Sequence, residues 1–113
     1  MDCIFCRIIS GEMPGDVLLR NEHVCAFRDV NPLVPTHVLI VPIEHLVSIE
    51  SLAADDSKMA GQLLLAVKEV ARLEGISESG YRMVVNTGAD GHQEVQHLHI
   101  HLLGGAPMRH GLG

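Results

Sequence analysis

Three histidines at alternate positions, His97, His99 and His101 in the segment HLHIHLL, are the residues whose type and spacing most directly imply chemistry. In a strand, successive side chains point to opposite faces, so the three imidazoles share one face about 6.5–7 Å apart. Leu98, Ile100 and Leu102 take the other face. Burial of that apolar row fixes the register, because a one-residue slip would drive three imidazoles into the core. Imidazole changes charge near neutral pH, so the row offers both a neutral nucleophile and protonated electrostatic partners. A neutral histidine, His99 at the centre, can attack phosphorus to give a phospho-histidine, while its neighbours steady phosphate charge or protonate the leaving group. A metal is the rival reading, since two histidines at i and i+2 with a third elsewhere suit catalytic zinc. Spacing alone leaves both open.

A second candidate is Cys3-x-x-Cys6. Such a pair can be redox-active, metal-binding or without function, and thioredoxin-type use requires a βαβ context that this sequence lacks. Cys25 reads as a small buried hydrophobe.

The elements that must position these groups follow from pattern. Residues 3–9 predict a short helix ended by Gly11 and Pro14. Residues 16–20 and 23–27 are apolar runs separated by Asn21-Glu22, a hairpin signature. Asp29, Asn31, Pro32 and Pro35 give residues 28–35 turn chemistry. Residues 37–42 form a β-branched run ended by Pro42, hence a mostly buried strand. A short helix is expected over 44–51. The clearest helix spans 56–74: Met59, Leu63, Val67 and Val70 recur on one side, opposite Lys58, Gln62, Glu69 and Arg72, with Asp55 as N-cap and Gly75 as the stop. Strands over 81–86 and 97–103 flank a Gly-rich loop, 87–96, where Gly88 and Gly91 permit close backbone approach. This order predicts an α+β domain with an antiparallel sheet and the long helix on one face.

Composition sets limits on function. The chain has 113 residues, 47% hydrophobic and 19% charged, with no Trp, one Tyr and two Phe, so it forms one domain with an aliphatic core. A formal charge of −6 with scattered Lys and Arg excludes a sequence-independent grip on nucleic acid. A mononucleotide remains an allowed ligand, because backbone N–H groups can hold a phosphate. The longest apolar run, Leu63–Val67, is far too short to span a membrane. Asp2 and the lack of a basic n-region argue against a signal peptide, and three cysteines argue against a disulfide framework, so a reducing cytoplasm is expected.

The segments QEVQHLHIHLLGG, RDVNPLVPTHVLIVP and GYRMVVNTGADG together resemble the histidine-triad (HIT) superfamily, closest to its branch of nucleotide-binding phosphoramidate hydrolases. The resemblance runs from about Cys3 to Gly105. It implies a single HIT domain over 1–113, α+β, with an antiparallel sheet of about five strands and one long helix, paired as a homodimer. It also implies that His99 attacks the α-phosphorus of a purine nucleoside 5′-phosphoramidate or related mononucleotide ester, and that water then hydrolyses the nucleotidyl-histidine. His97 would orient the nucleophile through its carbonyl, His101 would lie beside the phosphate, and His37 of the PTH segment would support them. Asp29 matches the ribose-binding acid, and Asn86 would position the triad or phosphate. Gln93, Glu94 and Val95 would complete the nucleotide site.

The sequence departs from its relatives at His92, where a small residue, often glycine, is common, and at Gln96, where many have an aromatic. The tail APMRHGLG lacks the Trp-Pro-containing end of the animal branch. A dinucleoside polyphosphate hydrolase, or a nucleotide-binding module with little turnover, are the alternative readings. Several similar proteins hold a structural zinc on two cysteines and two histidines; here Cys3, Cys6, His45 and His97 match that closed Cys₂His₂ set. No catalytic metal, nucleic acid or membrane partner is expected.

Overall fold

A computed structural model describes residues 3–112. Five antiparallel strands form one sheet in the order β1-β2-β3-β5-β4, with β1 Val17–Arg20, β2 Val24–Arg28, β3 Thr36–Pro42, β4 Tyr81–Val84 and β5 Ile100–Gly104. Helix α2, Ser57–Leu73, packs on one face and helix α1, Ile4–Ser10, on the other. The α+β architecture expected from the sequence is therefore present.

Asn21 closes the first hairpin by accepting from the N–H groups of His23 and Val24, at 2.8 and 3.0 Å. β3 is buried along its whole length because both of its faces are covered. Val38 and Ile40 join Val24, Ala26, Leu98, Ile100 and Leu102 beneath the inward stripe of α2: Met59, Leu63, Ala66, Val67, Val70 and Ala71. Leu39 and Val41, with Cys25 and Phe27, form a second cluster under Phe5 and Ile9 of α1. Cys25 is the buried hydrophobe expected of it. Gly75, with a φ of 72°, takes the left-handed conformation that stops α2.

The strand expected over 81–86 ends at Val84, and three further local expectations differ from the structure. Residues 44–51 form no α-helix; only a 3₁₀ turn, Ile49–Ser51, is present. The segment is drawn instead toward the triad, where the Leu46 carbonyl accepts from the Leu98 N–H at 2.7 Å. Asp56 rather than Asp55 precedes α2, and its carboxylate accepts from the Ala53 N–H at 2.8 Å. The last strand begins at Ile100, not at residue 97. His97–His99 lie outside the ladder, with the Leu98 N–H bonded to the Leu46 carbonyl rather than to a strand. The alternation nevertheless survives, with Leu98, Ile100 and Leu102 all in the α2 core. Among the described residues, no helix is long and apolar enough to cross a membrane.

Candidate active site

His97 and His99 are buried and His101 is half-buried. The Nδ1 of His99 lies 2.7 Å from the carbonyl oxygen of its neighbour His97. A carbonyl only accepts, so Nδ1 carries the proton, and a neutral ring then has a bare Nε2. Phe5 packs edge-on against this imidazole with centroids 5.2 Å apart, and the His101 ring lies at 5.0 Å from it.

A second chain of hydrogen bonds fixes His101. The Leu33 N–H donates to His37 Nδ1 at 3.1 Å, so the proton of a neutral His37 sits on Nε2. That Nε2 lies 2.9 Å from His101 Nδ1 and 3.4 Å from an Asp29 carboxylate oxygen. His37 therefore donates to His101, which keeps its own proton on Nε2. Burial lowers the pKa of both rings, opposed in each case by the Asp29 carboxylate, so both favour the neutral form at pH 7. The result is a bare nitrogen on His99 beside an N–H on His101, which suits attack on phosphorus while a phosphoryl oxygen is held.

His97 serves a different group. Its Nε2 donates to the Pro42 carbonyl at 2.9 Å, leaving Nδ1 bare at 3.4 Å from Cys3 Sγ and 3.6 Å from Cys6 Sγ. Cys6 Sγ lies 3.3 Å from His45 Nδ1. The four ligand atoms all lie within 4.8 Å of one another. A tetrahedral zinc with ordinary Zn–S and Zn–N bonds sets sulfur-to-nitrogen edges of about 3.5 Å, so these residues fit a metal. Burial and the adjacent Cys3 thiol push Cys6 above its usual value, so binding a metal there must release a proton. Asp29, His37 and His101 also gather within 4.8 Å. In that group His37 spends Nδ1 on Leu33 and presents a proton at Nε2, which suits a hydrogen-bond relay rather than a metal ligand.

His99 and His101 open on a cleft of about 540 Å³. Ile4, Ile8, Phe27, Leu33 and Leu39 give it an apolar wall, and Asn86, His92, Glu94 and Val95 also line it.

The HIT domain signature matches residues 10–108. The chain belongs to the HIT domain family. It is 40% identical over 107 residues to the purine nucleoside phosphoramidase of Escherichia coli K12, covering 95% of this chain and 90% of that protein. A HIT family hydrolase from Legionella pneumophila Philadelphia 1 superposes with a TM-score of 0.92 at 45% identity, covering 95% and 96% of the two chains. A histidine triad protein from Clostridium difficile gives a TM-score of 0.95 at 36% identity, covering 99% and 97%.

In this HIT chain the cleft brings together Asp29, His37, Asn86, Glu94, Val95, His99 and His101. Asp29 is at once a turn former and a cleft residue, since its other oxygen accepts from the Asn31 N–H at 2.8 Å. Gln93 does not line the cleft. Its amide nitrogen donates to the carbonyls of Val47 and Val95 at 2.6 and 3.0 Å, and its oxygen accepts from the Gly88 N–H at 3.0 Å. With those groups occupied, its side chain braces the 87–96 loop. His97 also stays out of the cleft and touches the nucleophile only through its carbonyl. A Cβ at Gly91 would lie 2.5 Å from the Thr87 carbonyl oxygen, so this glycine serves the loop's own tight packing.

Sequence reasoning missed Phe5, Ile4 and Ile8 as site residues. Their signal was an excess of apolar residues in α1, more than one buried stripe requires, with Ile4 left 46% exposed. One consequence concerns acid. His37 and His101 are lowered by burial, so below the unfolded value of about 6.5 the unfolded chain binds more protons than the folded one. Thermal melts of the metal-free protein should give a steady Tm from about pH 8 to 7 and a falling Tm from about pH 6.5 to 5. A flat profile down to pH 5 would show that these rings are not held neutral.

Proposed function

We propose that this chain hydrolyses purine nucleoside 5′-phosphoramidates or related mononucleotide esters through a covalent nucleotidyl-histidine. The observation that carries the reading is the 2.7 Å bond from His99 Nδ1 to the His97 carbonyl, which in the neutral ring leaves Nε2 bare as the nucleophile. The name of the Escherichia coli relative supports the substrate class. The Nε2 lone pair forms a bond to the α-phosphorus while the phosphorus–nitrogen bond breaks. The departing amine takes that electron pair and a proton from solvent, while the His101 Nε2–H holds a phosphoryl oxygen. Water then attacks phosphorus, the bond to His99 breaks with its electron pair returning to Nε2, and the water's proton goes back to solvent. The apolar wall of the cleft would hold the base, and Asp29 the ribose hydroxyls.

Alkaline quenching of wild-type protein during turnover of adenosine 5′-phosphoramidate, followed by peptide mass analysis, tests the step. The nucleotidyl mass is expected on His99. Finding it on His97 or His101, or finding rapid turnover with no adduct, would refute the assignment.

Cys3, Cys6, His45 and His97 would hold a structural zinc that ties α1 to the triad segment. Bound there, zinc supplies cross-linking rather than chemistry, because all four positions of the tetrahedron are filled by protein. The free thiols of Cys3, Cys6 and Cys25 suit a reducing compartment, the cytoplasm. A homodimer would cover the apolar side chains that α2 and the edge strand β4 leave exposed: Leu64, Leu65, Leu73, Tyr81 and Met83. Light scattering should give about twice the 12.3 kDa chain mass at micromolar concentration; a single-chain mass would oppose this.

A further inference from the structure

Among the described residues, His92 is the one non-glycine with a positive φ, 59°. L residues persist in that region where their surroundings hold them there, and such strain concentrates at functional sites. The His92 Nε2 lies 2.9 Å from a Glu94 carboxylate oxygen. Both side chains are mostly exposed, 86% and 75%, so their pairing is too well solvated to account for the strained backbone. Both also line the cleft beside Asn86, His99 and His101.

The order of the strands gives this pair its place along a substrate. β2 and β3 contribute Phe27 and Leu39 to the apolar wall, the triad segment entering β5 contributes His99, and the chain beyond β4 contributes Asn86 and the 87–96 loop. A base at the apolar wall and phosphorus at His99 put the departing group on the side of His92 and Glu94. Burial lowers the pKa of His101 and Glu94, like Asp29, opposes it, so this carboxylate lies within electrostatic reach of the triad. The one Arg or Lys lining the cleft, Arg28, is already engaged by both Glu74 oxygens at 2.5 and 2.8 Å and by Asp16 at 3.1 Å. An anionic leaving group thus meets a carboxylate and, among the described residues that line the cleft, no uncommitted Lys or Arg.

We propose that His92 and Glu94 form a leaving-group subsite, in which the His92 N–H holds the Glu94 carboxylate so that it favours amines bearing a second positive charge and disfavours anionic ones. This rests on the reading of His99 as the nucleophile toward phosphoramidates. The same carboxylate opposes a polyphosphate chain at that position, so dinucleoside polyphosphates are poor substrates.

Three adenosine 5′-phosphoramidates with leaving amines of equal length, ending in an ammonium, a methyl or a carboxylate group, provide the test. In wild type the ammonium form should exceed the carboxylate form in kcat/KM by about tenfold at low salt, shrinking as salt rises to about 0.3 M. Glu94→Gln should bring that ratio within about twofold. His92→Gly should give an intermediate ratio without lowering Tm, because glycine adopts this φ freely. Equal wild-type turnover of the three substrates, or a ratio that Glu94→Gln leaves intact, would overturn the subsite while leaving the phosphoramidase reading in place. Hydrolysis of none of the three would remove both.

Discussion

Replacing His99 by Ala or Gly lowers hydrolysis of adenosine 5′-phosphoramidate by on the order of 10⁴-fold while AMP binding stays within about tenfold. The asymmetry follows from what the side chain does in the proposed step. Its Nε2 bonds to phosphorus only as the reaction proceeds, so deleting it removes transition-state stabilisation far more than ground-state contact. The binding surface on either side survives the change: the apolar wall of Ile8, Phe27 and Leu39, the Asp29 carboxylate, and the His37–His101 relay. Because His99 is buried against Phe5, truncation also leaves a small void, so each variant is first shown to be folded by its melting curve. Rapid-quench kinetics and equilibrium AMP binding then separate the two effects. Undiminished turnover in a folded variant would eliminate covalent catalysis at His99, and loss of AMP binding in proportion to rate would make it a binding residue.

The second large effect concerns the Cys₂His₂ cluster. Changing both Cys3 and Cys6 to Ser should abolish stoichiometric zinc and destabilise the fold by about 4 kcal/mol, or roughly 15 °C in Tm, under zinc at about a thousand times its dissociation constant. The site forms only on folding, since Cys3 lies 94 residues from His97 in sequence, so metal affinity becomes folding free energy. Chemistry should persist below the lowered Tm. The His97 imidazole faces the thiols, whereas its carbonyl holds His99, and that carbonyl bond does not pass through a metal. KM should rise more than kcat falls, because Cys3 and Cys6 anchor α1, whose Ile4, Phe5 and Ile8 wall the cleft. Metal analysis and calorimetry read the first part, and steady-state kinetics before and after chelation read the second. If a folded, zinc-free sample were inactive and recovered on adding Zn²⁺, the metal would belong to the chemistry and not to the scaffold. Zinc that remained stoichiometric in the double variant would place the ion elsewhere.

Sequence periodicity determined much of this protein on its own. Alternation in HLHIHLL put Leu98, Ile100 and Leu102 in one core and kept the histidines off it, even though the ladder starts only at Ile100. The 3.6-residue spacing of Met59, Leu63, Val67 and Val70 fixed which side of α2 is buried. Such patterns are legible because they concern neighbours two to four residues apart, whose relative directions any strand or helix dictates. The family motifs named the polar residues that gather around His99 in the cleft, including Asp29, whose turn geometry and cleft position prove compatible, but not its apolar wall.

Tertiary structure alone decided what each nitrogen does. His97 and His99 look equivalent in the sequence, yet the Pro42 carbonyl, 55 residues away, frees His97 Nδ1 toward the thiols, while the His97 carbonyl frees His99 Nε2. The proton on His101 depends on His37, 64 residues distant, and through it on the Leu33 backbone. Gln93 turned inward because backbone groups of Gly88, Val95 and the distant Val47 claimed its amide, which no local pattern records. Helix α1 was expected, but not that it would cover the second face of the sheet and wall the cleft. A neutral imidazole has one donor and one acceptor nitrogen, and only the fold brings up the partner that chooses between them.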